Sequence, residues 1–254
     1  MAAANARVNA LYRYPVKGLS PESLQEVRLE TAGTFPWDRA FALENGSADF
    51  DPSAPRHFPK IKFLMLMRHE ALASLQTRFD DAQMRLHISR KGEAKLVADL
   101  SSAQGRADLE TFMQDFMGPL AKGRPHLAHA PGFSHSDCPA KLISIINLAS
   151  VRELATKIGR DVDPLRFRAN IYIEGLSAWQ DHDWVGRDFK IGTVEMTGYK
   201  LTERCAATNV NPVSAHRDME IPRTLLQTYG HSDLGLYAEV KTPGAIRLGD
   251  DIIL

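Results

Sequence analysis

The stretch DFKIGTVEMTGYKL, residues 188–201, is the part of this 254-residue chain that decides the fold class. It reads as strand-like sequence interrupted by a glycine turn. Three similar runs accompany it, namely RFRANIYIEG at 166–175, LGLYAEV at 234–240 and AIRLGDDIIL at 245–254. Gly or Pro-Gly turns separate these runs, so the second half of the chain is predicted to be a β-rich barrel.

The first half has the rhythm of a small β-barrel or meander. Residues 7–12, 24–30 and 39–44 are short β-prone runs separated by Pro, Gly and Ser. LMLMRH at 64–69 and MRLHIS at 84–89 continue the pattern, and the second of these alternates as a half-buried strand does. The first region is therefore predicted to be mainly β.

Three segments have helical spacing instead. ADLETFMQDFMGP, residues 107–119, repeats its apolar residues every three to four positions and ends at Gly-Pro, and NLASVRELATKIG at 147–159 follows the apolar strand KLISII. IPRTLLQTYG at 221–230 has Pro in its first turn and Gly past its end. The predicted fold is mainly β (α+β), a barrel core packed with a smaller N-terminal barrel-like domain and a few helices.

The predicted domain boundary lies near residue 120, with one domain at 1–120 and a second at 121–254. The Gly-, Pro-, His- and Ser-rich stretch 119–139 is interpreted as an ordered crossing between them.

Composition excludes several classes of function. Lys plus Arg and Asp plus Glu both total 31, so the chain has no net charge and does not read as a nucleic-acid binder or a polybasic membrane-surface protein. Any anion site must be local. No run approaches the about 20 apolar residues that span a bilayer, and a cytoplasmic location is the expectation.

The sharpest chemical feature is Glu203-Arg204-Cys205. A cation next to a cysteine favours the thiolate, which is the form that acts as nucleophile or soft metal ligand. Free cysteines are also among the most buried residues, so a structural Cys205 is the competing interpretation. The only other cysteine is Cys138, too distant in sequence to match a zinc or iron–sulfur pattern.

Further cations and amides stand near predicted strand ends. They are Lys17 after Tyr-Pro-Val, Arg39 after Asp38, and Arg168 with Asn170 in RFRAN. Arginine, lysine and an amide together can bind a phosphate and the polar edge of a ring. Singly, each could be a solvated charge, and Asp38 could simply pair with Arg39. A separate triplet, Asp181-His182-Asp183, is interpreted as an exposed turn.

Five motifs stand out along the chain, namely YPVKG at 14–18, WDRAFAL at 37–43, RFRANIYIEG at 166–175, ERCAATNVNP at 203–212 and GAIRLGDDI at 244–252. In their order and spacing the sequence resembles MOSC-domain proteins over nearly its whole length. The resemblance includes the N-terminal β-barrel extension found in the mitochondrial amidoxime-reducing component and its bacterial relatives.

The resemblance implies a shallow cleft between two β-rich parts that holds the molybdenum cofactor. It implies that Cys205 is the catalytic residue and the protein ligand to molybdenum. The residues that would hold the cofactor are Lys17, Arg39, Ser144, Asn147, Arg168, Asn170, Arg204 and Cys205. Three positions depart from the family pattern: Gly18 stands where relatives have Ser, Ala169 where many have Pro, and Glu203 places an acid beside the site.

The activity implied by the resemblance is a molybdenum-dependent reduction of small N-hydroxylated compounds, with oxygen removed as water. No ferredoxin-like extension follows Leu254, so electrons are expected from an external ferredoxin, flavoprotein or cytochrome. One alternative is a molybdenum cofactor or sulfur carrier with a persulfide on Cys205. Without a pyridoxal-phosphate module in the sequence, the chain could only be the sulfur acceptor. A second alternative is a cofactor-free binding protein.

Overall fold

A computed structural model describes residues 6–254, and the first five residues of the predicted N-terminal domain lie outside it. The described chain is mainly β with three α-helices, which confirms the predicted fold class. In residues 6–254 the strands are β1 (Arg7–Arg13), β2 (Glu22–Leu24), β3 (Glu26–Leu29), β4 (Phe41–Asn45), β5 (Gln76–Asp80), β6 (Arg85–Arg90), β7 (Glu93–Asp99), β8 (Pro125–His129), β9 (Ile143–Asn147), β10 (Ile171–Glu174), β11 (Asp188–Ile191), β12 (Val194–Glu203), β13 (Asp233–Val240), β14 (Gly244–Arg247) and β15 (Ile252–Ile253).

One curled sheet of eight strands organises the molecule, in the order β15-β11-β12-β13-β9-β10-β1-β2. The last two strands in this order, β1 and β2, come from the start of the chain, and β1 pairs antiparallel with β10. A second link between the two ends of the chain is the antiparallel pair of β3 and β14. Strands from both halves therefore build the frame on which the second half folds.

The remaining strands form two smaller sheets in the first half. β5, β6 and β7 make an antiparallel meander, and β4 pairs with β8. The stretch 119–139, interpreted as a crossing, thus contributes a strand of its own to the first half. The division at residue 120 itself stays a prediction.

The three helices lie where the sequence predicts them, namely α1 (Ala103–Met117), α2 (Leu148–Ile158) and α3 (Ile221–Tyr229). Ser102 caps α1 by accepting a hydrogen bond from Gly105 N, which satisfies a donor that the first helical turn leaves unpaired. In α1, Leu109, Met113 and Met117 are buried, so its apolar spacing serves the core.

The strand predicted at 64–69 is wrong. Residues 66–68 form a turn in which the amides of Arg68 and His69 both donate to the carbonyl of Met65. The run is apolar because Leu64, Met65 and Leu66 pack into the core of the first half, not because it belongs to a sheet. Burial without a strand gives the same apolar signal.

The triplet at 181–183 also differs from its prediction as an exposed turn. Residues Gln180–Trp184 form a 3₁₀ turn in which Asp181 and Trp184 are buried. The turn packs inward because the Trp184 indole belongs to the apolar core beneath the large sheet.

A row of paired residues crosses one face of the large sheet, and this row is called the floor. Lys200 of β12 pairs with Tyr237 of β13, and Tyr237 pairs with Ser144 of β9. The amide of Asn170, just before β10, donates to the Ser144 carbonyl at 2.9 Å. Since paired residues on neighbouring strands project to the same face, these four side chains are brought side by side.

Within the described residues, none of the helices is both long enough and apolar enough to cross a membrane.

Gly235 in β13 tests how tightly this frame is packed. Its φ is +77°, and an added Cβ would lie 2.4 Å from the Ile145 carbonyl oxygen and 3.2 Å from Arg204 Nη2. We expect Gly235→Ala to lower the free energy of unfolding by roughly 2–4 kcal/mol, since backbone strain and collision add. Gly92→Ala is the matched control, because its φ is +79° with nothing within 4 Å. Equal losses in urea titrations of the two variants would contradict the tight approach.

Candidate functional site

A cavity of about 480 Å³ lies between the two halves of the chain, a size common for small-ligand sites. Its walls come from residues 17–18, 38–39 and 60–67 on one side and from the large sheet and its loops on the other. Seven cationic and four acidic side chains line it, although the whole chain has no net charge. The cavity therefore has a local excess of cationic side chains, which is the only kind of anion site that the composition allows.

Seven of the eight predicted site residues line this cavity. Asn147 does not, because it caps α2 instead: its Oδ1 accepts from Ala149 N at 3.0 Å and its Nδ2 donates to the Ser177 carbonyl. The seven that converge are Lys17, Arg39, Ser144, Arg168, Asn170, Arg204 and Cys205.

Lys17 is held by a loop from the far half of the chain. Its ammonium donates to the His135 carbonyl at 2.8 Å and to Asp137 Oδ1 at 2.5 Å. Burial lowers the pKa of Lys17, and Asp137 opposes that effect. Burial would also raise the pKa of Asp137, but Lys17 and Lys60 lower it to about 2. Asp137 is thus an ionised bridge between two lysines of the cavity wall.

Lys60 is one of several cavity residues that the sequence did not predict. It lies 3.6 Å from Asp137 Oδ2 and lines the cavity together with Cys205. Burial acts to lower the pKa of Lys60, but the charges of Asp137 and Cys205 raise it above its usual value. No sequence pattern indicates this contact, since Lys60 and Cys205 are far apart along the chain.

Cys205 is free and half-buried, and it lines the cavity. Its neighbour Arg204 is mostly committed to the backbone: Nε donates to the Leu234 carbonyl at 2.7 Å and Nη1 to the Phe167 carbonyl at 3.0 Å. Burial lowers the pKa of Arg204. Arg204 therefore fixes the strand end before Cys205, and Lys60 is an additional cation near the sulfur.

The Arg39 side chain is joined to the backbone of Arg168. Arg39 Nη1 binds Asp38 Oδ2 at 2.5 Å, as the sequence allowed, while its Nη2 donates to the Arg168 carbonyl at 2.8 Å. Arg168 Nη1 donates to the Leu19 carbonyl at 2.7 Å. Burial acts to lower the pKa of Arg39, but Asp38 raises it, so this guanidinium stays charged.

The loop after Cys205 is strapped to the opposite wall by Arg217. Its Nη1 donates to the Ala206 carbonyl at 3.0 Å, and its Nη2 donates to the carbonyls of Leu66 and Met67 at 3.0 and 2.8 Å. Leu66 and Met67 belong to the first half of the chain and line the cavity. One side chain thus binds both walls of the cleft.

A serine at position 18, which the family resemblance leads one to expect, would be crowded and would strain the backbone here. Its φ is +84°, and an added Cβ would lie 3.1 Å from the Leu64 carbonyl oxygen and 3.3 Å from a Leu72 methyl carbon. The glycine that departs from the family pattern therefore suits the close approach of the Leu64 backbone.

Glu203 is exposed and lines the cavity, and among the ion pairs of residues 6–254 it has no arginine partner. Cys138 also lines the cavity, so both cysteines of the chain face one space.

His135 anchors the loop that carries Asp137. Its ring is buried among Phe50, Phe63 and Phe133, with ring centroids 4.8, 5.4 and 5.0 Å away. Its amide donates to the Arg39 carbonyl at 2.7 Å. Burial in this apolar cage, with the nearby charge of Lys17, lowers the pKa of His135 to about 3.

Comparison with known proteins identifies the family. Residues 5–122 match the MOSC N-terminal beta barrel domain and residues 132–253 match the MOSC domain. The chain belongs to the MOSC domain family, which is associated with the molybdenum cofactor, and it is related to the amidoxime-reducing components.

The curated relatives are similar over only part of their length. The chain is 29% identical to mitochondrial amidoxime-reducing component 1 of Mus musculus over 43% of this chain and 35% of that protein. It is 25% identical to component 1 of Danio rerio over 58% of this chain and 48% of that protein. A solved structure, the YUAD protein of Bacillus subtilis, matches 98% of this chain and 94% of that chain at 12% identity with a TM-score of 0.44. The chain therefore spans about a third to a half of the curated relatives.

The donor set of the cavity fits a molybdenum cofactor. A thiol is the soft ligand that this metal site needs, and Lys17, Arg39 and Arg168 are hard anion-binding groups in the same space. Ser144 on the floor is a further polar group, whereas the Asn170 side chain already accepts from Ser144 N and donates to the Tyr12 carbonyl, both at 3.2 Å. Which of these residues bind the cofactor stays a prediction.

The His135 cage predicts an acid-dependent loss of stability. The unfolded chain binds a proton near pH 6.5 and the folded chain only near 3, so stability falls as pH drops below 6.5. The slope approaches about 1.4 kcal/mol per pH unit for this one proton. In urea titrations from pH 7 to 4.5, the change of the unfolding free energy with pH should be smaller in His135→Phe than in the natural protein, by about 1.4 kcal/mol per pH unit. His57→Phe, at an exposed position, is the control, and an unchanged slope in His135→Phe would contradict the cage.

Proposed function

We propose that this protein binds the molybdenum cofactor in the cavity and reduces small N-hydroxylated compounds with electrons from a separate redox protein. The observation that carries the proposal is the convergence of the half-buried thiol of Cys205 with Lys17, Arg39 and Arg168 in one cavity. The family and its amidoxime-reducing relatives support the same reading.

Each residue has a separate task in this proposal. Cys205 would bind molybdenum, and the cations would bind the anionic phosphate and oxo groups, with Arg204 fixing the strand end beside the thiol. When bound, the cofactor would supply a metal that exchanges two electrons. Asn147, which caps α2 outside the cavity, would act at most through the position of β9.

The reaction turns an N–OH group into N–H and one water and consumes two electrons and two protons. Lys60 would have a role at this step, because its raised pKa keeps Nζ protonated at neutral pH. Because Lys60 lies on the cavity wall with Cys205, its Nζ would donate a hydrogen bond to the oxygen that leaves. The electrons would come from a protein of the ferredoxin, flavoprotein or cytochrome type. The cytoplasmic location likewise stays a prediction.

Replacing each cysteine in turn tests the assignment. From a cofactor-competent host, we expect Cys205→Ala to lose bound molybdenum and at least about 100-fold of benzamidoxime reduction with an artificial donor, since the metal loses its protein ligand. Cys138→Ala, which removes the other thiol of the same cavity, should retain stoichiometric molybdenum. Metal analysis and turnover are the measurements. Retained molybdenum in Cys205→Ala with loss in Cys138→Ala would reassign the ligand.

A sulfur carrier is the second candidate, and the presence of two thiols in one cavity favours it. In that case Cys205 would hold a persulfide, and intact-mass measurement would find one added sulfur atom without bound molybdenum. Stoichiometric molybdenum without the adduct supports the reductase instead.

A further inference from the structure

Tyr14 lies beneath the cavity with one arginine on its ring from each half of the chain. The Arg39 guanidinium carbon is 4.7 Å from the ring centroid and the Arg168 guanidinium carbon is 4.3 Å from it. Tyr14 is fully buried and does not itself line the cavity, whereas both arginines do. Any effect of Tyr14 on a ligand must therefore pass through the arginines.

The two arginines need a force that holds them together. They are like charges, and burial together with the charge of Arg39 lowers the pKa of Arg168 to about 10. Asp38 pairs with Arg39, but among the ion pairs of the described chain none contains Arg168. The electron-rich face of an aromatic ring attracts a guanidinium most strongly when both are shielded from water.

The phenol acts here as a neutral ring. Burial raises the pKa of Tyr14, so it remains protonated and offers its face rather than a charge. Its backbone fixes the same group of residues: Tyr14 N donates to Asp38 Oδ1 at 2.8 Å, and Arg39 N donates to the Tyr14 carbonyl at 2.8 Å.

Both arginines also have backbone dihedral angles that are unfavourable for residues with a side chain. Arg39 has a φ of +51° and Arg168 a φ of +53°, the left-handed region that strains a side-chain-bearing residue. Such conformations persist only where surrounding contacts enforce them. The strain gives a physical reason for a dedicated support under the two side chains.

We infer that Tyr14 is a positioning residue that holds the Arg39 and Arg168 guanidiniums as a preformed pair for a phosphate-sized anion. The inference deepens the proposed function, since the anionic phosphate of the cofactor is the ligand that this pair would take. It can be tested without the cofactor, because inorganic phosphate has the same chemistry.

The test separates the effect of the shape of side chain 14 from the effect of the electron density on its ring face. Cofactor-free protein is titrated with inorganic phosphate by phosphorus NMR or calorimetry. Tyr14→Phe keeps the ring face and should bind within about twofold of the natural protein, whereas Tyr14→Leu should bind roughly five- to thirtyfold more weakly. Arg168→Gln sets the level expected when the pair itself is broken.

A fluorinated series keeps the inference open to refutation if Tyr14→Leu does not fold. Phenylalanine at position 14, introduced with two and then four ring fluorines, keeps the shape and withdraws electrons from the face. Phosphate affinity should fall stepwise along the series while the melting temperature changes little. Constant affinity across the series, or no saturable phosphate binding by the natural protein, would overturn the inference. Loss of reductase activity or of molybdenum alone would bear only on the proposed function.

Discussion

The register of four neighbouring strands is the constraint on which the cavity depends. Lys200, Tyr237, Ser144 and Asn170 form one row only because β12, β13, β9 and the start of β10 are aligned as they are. A slip of one residue in any of these strands would turn its side chain to the opposite face. The same sheet takes in β1, which leads directly to Tyr14 and Lys17, so the pairing of β1 with β10 also brings the start of the chain to Arg168.

Hydrophobic periodicity and end signals in the sequence were sufficient to predict the helices and some of the strands. The three helices follow from their apolar spacing and end signals, and the alternating run at 84–89 is β6. The strand predicted at 64–69 is wrong because Leu64, Met65 and Leu66 are buried by packing and not by strand pairing. Pairing between β1 and β10 or β3 and β14 joins residues more than 150 positions apart, and periodicity contains no information on such partners.

The candidate site shows the same division between local and distant information. Seven of the eight residues that the family resemblance implies line one cavity. Asn147 instead caps a helix, since an Asn directly before a helix serves as well for capping as for binding. The sequence predicts Arg204 as the cation beside Cys205, but Lys60 is a second one. The position of Lys60 depends on Asp137, which lies on a loop held by His135. A lysine in a loop without helical or strand pattern has no sequence signal that could reveal this.

The strap formed by Arg217 ties the sulfur-bearing loop to the opposite wall of the cavity. Because one guanidinium binds the carbonyls of Ala206 on one wall and of Leu66 and Met67 on the other, the two walls can separate at this point only if these hydrogen bonds break. An evolutionary or engineered change toward bulkier guests that moves this loop would therefore also have to replace or release this clasp.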